Sequence, residues 1–86
     1  MPQSNYNAIK ALFDKYDAVY DGISNDIADL KEASGETFQS ARKDLKQILR
    51  STQPDDLGNV ELTDNEAADV QAAQALLYSD RYRRWL

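Results

Sequence analysis

Carboxylates at helical spacing are the most frequent side chains here that could do chemistry. Asp14 stands three residues before Asp17 and seven before Asp21, Asp26 three before Asp29, and Asp64 five before Asp69. Two such carboxyls act as general acid and base only in a pocket that separates their pKa values. A chain of 86 residues leaves little room for that cleft, and the pairs read instead as solvated acidic faces. From Asp55 to Glu66 runs a stretch with the length of a calcium loop. Its third ligand position is Leu57, however, and its sixth, where the turn needs glycine, is Val60. Cysteine and histidine are both absent. That excludes disulfides, thiolate nucleophiles, imidazole acid–base chemistry and the zinc sites built on these side chains. Gly22, Gly35 and Gly58 stand alone, so there is no glycine-rich phosphate loop. The expectation is a protein that is not an enzyme and that holds no cofactor and no metal.

Aromatic and arginine side chains offer binding rather than catalysis. Phe13, Tyr16 and Tyr20 fall at i, i+3 and i+7, the spacing of a helix–helix seam or of a ligand-facing line. The chain ends in DRYRRWL, which places Tyr82, Arg84, Trp85 and Leu86 together one turn after Tyr78. Tryptophan, tyrosine and arginine dominate interface hot spots, and a chain end is free to reach a partner. The candidate partner-binding residues are therefore Phe13, Tyr16, Tyr20, Tyr78, Tyr82, Arg84, Trp85 and Leu86. A competing expectation keeps the arginines at home. If the last helix packs antiparallel on the segment before it, equal rise brings its end beside residues 25–32. Arg81, Arg83 and Arg84 then face Asp26, Asp29 and Glu32.

The elements that would position these residues are helical. Ile9, Leu12, Tyr16, Val19, Ile23, Ile27, Leu30, Phe38, Ala41, Leu45 and Ile48 follow steps of three and four, with Ser34 filling the one vacancy in phase. The period is about 3.5, far from a strand's 2, and strand-like alternation is found nowhere. The spacing predicts helix from about 4 to 51, with Ser4 as a cap, bent or broken near 22 or 33–36 if anywhere. Continuous phase through Gly22 and Gly35 argues for one helix. Pro54 and Gly58 interrupt the pattern. Thr63 and Glu66 then form a capping box that opens a second helix over about 63–84. The expected fold is all-α, one domain over 1–86, arranged as a helical hairpin or small three-helix bundle with the C-terminal helix antiparallel. A straight helix of that first length would run about 72 Å, against a radius of gyration of about 12 Å for a compact domain of this size. Either the first segment bends and the chain closes on itself, or a second chain covers the exposed half of its stripe.

Charge is laid out in blocks. Residues 1–40 carry net -4, residues 41–50 net +3, residues 51–80 net -7 with no cation, and the last six net +3. A net charge of -5 disfavours nucleic acid and anionic membranes as partners. Arg42, Lys43, Lys46 and Arg50 are expected to complement the end of their own helix and to pair within the chain. No stretch reaches the roughly 20 apolar residues of a membrane span, and no signal peptide is indicated. The leading expectation is a non-enzymatic helical interaction or assembly protein, a homo-oligomer or a subunit of a virion or other multi-protein particle, placed in the cytoplasm or within such an assembly. The alternative is a small acidic inhibitor or counter-defence protein that occupies a basic, nucleic-acid-binding surface of its target.

Overall fold

A computed structural model describes residues 2–33 and 35–86, apart from the side chains of Glu32 and Ala33. The chain is mostly helical, and a small antiparallel sheet joins its two halves. The elements are β1 (Gln3–Asn5), α1 (Tyr6–Ile23), α2 (Ile27–Ala33), α3 (Glu36–Ser51), β2 (Asn59–Glu61) and α4 (Asp64–Leu77), followed by a single 3-10 turn (Arg83–Trp85).

The sheet corrects the all-α expectation. β1 pairs with β2 so that Ser4 faces Val60. The Leu62 amide donates to the Pro2 carbonyl at 2.8 Å, and the Tyr6 amide to the Gly58 carbonyl at 2.8 Å. Val60 and Leu62 are buried while Glu61 between them is exposed. This is strand alternation, in a segment too short to stand out among helices. Ser4 therefore lies in a strand, and Asn5 is the cap of α1, its side chain accepting from the amides of Asn7 and Ala8.

The long first helix is three helices. At the first break the Ser24 hydroxyl donates to the Asp21 carbonyl at 2.7 Å, and the Asp26 carboxylate accepts the Asp29 amide at 3.1 Å. Serine and aspartate thus offer the backbone local partners that compete with the helix ladder. The stripe loses its phase here, since Ile27, counted as apolar interior, is 75% exposed. At the second break α2 stops at Ala33 and α3 starts at Glu36. Ser34, the expected weak point, lies outside the described residues. The last helix also ends early, at Leu77 rather than near 84. There the Ser79 hydroxyl donates back to the Leu76 carbonyl at 2.6 Å.

Asp55, the first position of the rejected calcium loop, organises a turn. Its carboxylate accepts the amides of Leu57 and Asn59 at 2.8 and 2.9 Å, and Gly58 completes the turn at φ 80°. A Cβ at Gly58 would meet nothing within 4 Å, so the cost of Gly58→Ala is purely conformational. The expected loss is about 1–2 kcal/mol for forcing an L-residue into the left-handed region, readable as a lower urea midpoint with an unchanged slope.

These turns fold the chain to 42 × 20 × 20 Å with a radius of gyration of 13.4 Å. Asp17 meets Arg42, and Phe13 shares a groove with Lys46, so α1 and α3 run antiparallel. The core draws on every long element, with Ile9, Tyr16, Val19 and Ile23 from α1, Phe38, Leu45 and Ile48 from α3, Val60 and Leu62 beside the sheet, and Ala73 and Leu77 from α4. Tyr82 joins them from beyond the end of α4. No polar or charged residue is buried among the described residues.

Candidate functional site

The eight candidate partner-binding residues separate into two groups. Tyr16 and Tyr82 are core residues, the first fully buried and the second nearly so. Phe38 lies between them, its ring centroid 4.8 Å from that of Tyr16 and 4.9 Å from that of Tyr82. The Tyr16 hydroxyl donates to the Ala73 carbonyl at 2.7 Å and so ties α1 to α4. Burial, with Tyr82 nearby as a smaller contribution, pushes the Tyr16 phenol far above the ordinary tyrosine range. Neither ring presents a surface to a partner. In an unbroken helix Tyr82 would share a face with Tyr78, four residues earlier, and Tyr78 is exposed. The early end of α4 is what turns Tyr82 inward.

Six candidates keep some surface. Phe13 and Tyr20 are half-buried along the α1–α3 seam. The Arg42 guanidinium lies 4.9 Å from the centroid of the Tyr20 ring, and its Nε donates to Asp17 at 3.0 Å. Tyr78 accepts a hydrogen bond from Lys15 Nζ at 3.0 Å, and that ammonium also lies over its ring.

Arg84, Trp85 and Leu86 lie at the far end of α1. Arg84 forms an ion pair with Asp29 and stacks its guanidinium over the Trp85 ring, 4.1 Å from its centroid. The indole is half-buried against Gly22, where a Cβ would stand 3.5 Å from its Cδ1. Leu86 remains 48% exposed. Of the three arginines, Arg84 folds back onto one of the expected acids, while Arg83 pairs with Asp80. Of the three acids expected opposite them, Asp29 takes Arg84, and the Glu32 side chain lies outside the described residues. Asp26 caps α2, and the donating amide of Asp29 holds its carboxyl below the usual range. Desolvation, with the Asp26 carboxyl beside it, pushes the Asp29 carboxyl up. Sequence reasoning placed Ile27 in the interior and so missed it as a surface residue. The Ser-Asn-Asp run just before it was the available signal.

The surface has shallow open grooves rather than a cleft, and no group of three or more carboxylates among the described residues could hold a metal ion. Among the described residues, no helix is long and apolar enough to cross a membrane. Compared with known proteins, the chain matches no family model, no curated protein and no solved structure.

Proposed function

We propose that this chain is a non-enzymatic protein–protein interaction module that docks into a larger assembly, such as a virion or another multi-protein particle. In this reading α1, α3 and α4 form a small three-helix bundle that holds the docking end rigid. The supporting observation is that Leu86 and Ile27 are exposed on the two segments that the Arg84–Asp29 ion pair joins. Leu86 follows the Arg84–Trp85 stack directly in the chain and is exposed, and Ile27 is a second exposed aliphatic residue, two positions before the Asp29 that pairs with Arg84. A preorganised tryptophan–arginine stack with exposed aliphatic residues on the segments it joins has the composition of an interface hot spot. The ion pair adds little stability of its own, since the arginine is 61% exposed, but it fixes the stack before a partner arrives.

The test is to tag the full chain in the cells that make it and compare its sedimentation with that of an Ile27→Asp/Leu86→Asp variant. The wild-type chain is expected to travel with a particle far heavier than 9.7 kDa, and the variant, still helical by circular dichroism, as a free chain. A wild-type chain that sediments alone overturns the reading.

A further inference from the structure

The basic block at residues 41–50 pairs only in part within the chain. Arg42 is bound to Asp17, but Lys10, Lys43, Lys46 and Arg50 have no carboxylate partner among the described residues. Lys43, Lys46 and Arg50 fall at i, i+3 and i+7 and form one strip along the exposed side of α3, about 10 Å long at helical rise. Beside the strip lies the α1–α3 groove, where Phe13 sits next to Lys43 and Lys46. The antiparallel register that sets Phe13 against Lys46 carries Lys10 towards Arg50.

The other flank of α3 has the opposite sign. Glu36, Asp44 and Asp69 line the groove between α3 and α4, with Ala41 and Ala72 among its apolar residues. A helix with its side chains is about 10 Å across, and the screening length at physiological salt is about 8 Å. No ion pair links the positive strip to the negative groove within one copy among the described residues. Between two copies they can meet directly.

We propose that the Lys43–Lys46–Arg50 strip of one copy docks against the Glu36–Asp44–Asp69 groove of a second copy. The two patches differ, so the contact is head-to-tail, and each docked copy still offers a free strip and a free groove. Successive copies then add as a row or close as a ring. The small alanine side chains let the arriving helix approach closely, and the long lysine stems cover the apolar surface around them. Each copy carries net -5, which opposes encounter at long range, so the attraction belongs to the matched patches and is lost as salt screens them. This inference rests on the assembly reading but uses residues other than Ile27 and Leu86, so its failure leaves the sedimentation test of those two intact.

The experiment is light scattering on the full chain at about 20 mM and about 500 mM salt, with two charge-reversed variants, Lys43→Glu/Lys46→Glu and Glu36→Lys/Asp69→Lys, each checked for helicity. At low salt the wild type is expected to show a mean mass at least about twice the 9.7 kDa of one copy, returning to one copy at high salt. Each variant alone is expected to stay monomeric, because its strip and groove now share a sign. Their equimolar mixture is expected to associate, because each variant's strip is complementary to the other's groove. A monomeric wild type at low salt, a mass indifferent to salt, or a mixture no heavier than its components overturns the proposal.

Discussion

Tyr82→Ala is expected to cost about 3–5 kcal/mol, the usual range for truncating a large buried ring, although the residue is only four positions from the end of the chain. Tyr82 is 2% exposed, packs on Phe38, and is ordered by a turn in which its amide donates to the Ser79 carbonyl at 3.2 Å. Its removal leaves a ring-sized void where α1, α3 and the C-terminal turn meet. A domain of this length is stabilised by roughly 4–13 kcal/mol in total, so one truncation takes a large part of it. The melting temperature should fall by roughly 15 °C or more, at about 4–8 °C per kcal/mol for a chain of this size. Arg84→Ala is the control. It removes an exposed ion pair next door and should cost under about 1 kcal/mol. Urea unfolding followed by circular dichroism separates the two. If Tyr82→Ala falls within 1 kcal/mol of the wild type, the C-terminal turn is an appendage and not part of the core.

The same residue shows what the sequence could and could not say. Helical periodicity identified the interior well, and Ile9, Leu12, Tyr16, Val19, Ile23, Phe38, Leu45 and Ile48 are all buried. It does not report whether the backbone is continuous, and the chain breaks close to the two places offered for a bend, after Ile23 and between Ala33 and Glu36. A stripe in phase reports that residues share a core, and three helices folded around one core satisfy that as readily as one straight helix. The first break is marked by Ser24 and Asp26, whose side chains bond the backbone locally. The sheet was harder to foresee. Three residues of β1 and three of β2 gain their meaning only when Pro2 to Asn5 lies beside Asn59 to Leu62, and this pairing is set by how the intervening helices turn. Of the candidate site, the aromatic and arginine chemistry of the last seven residues was visible from composition. Which of those rings would be buried depended on where α4 stops, and a hydroxyl at Ser79 decides that.

Stability in alkaline solution is expected to follow Tyr16. Its phenol is buried, donates to the Ala73 carbonyl at 2.7 Å, and is held neutral in the fold to a pH far above that at which a tyrosine in the unfolded chain ionises. The sign follows from the two states. Below about pH 10 the phenol is protonated whether the chain is folded or not, and the contribution is fully present. Above that the unfolded chain releases the proton and the folded one keeps it, so unfolding gains about 1.4 kcal/mol per pH unit from this group. Two units above the ordinary tyrosine pKa, the loss approaches 3 kcal/mol, a large share of the whole. The wild-type slope alone does not isolate the group. Tyr16→Phe does. Near neutral pH it should cost about 0.5–1.5 kcal/mol for the lost hydrogen bond, with the ring still in place against Phe38. Above pH 10 its stability should fall less steeply than that of the wild type, and the two curves should converge and then cross as the Tyr16 contribution drains away. Parallel curves through pH 12 would mean that the phenol ionises in place without opening the core. The link between α1 and α4 would then not depend on that proton.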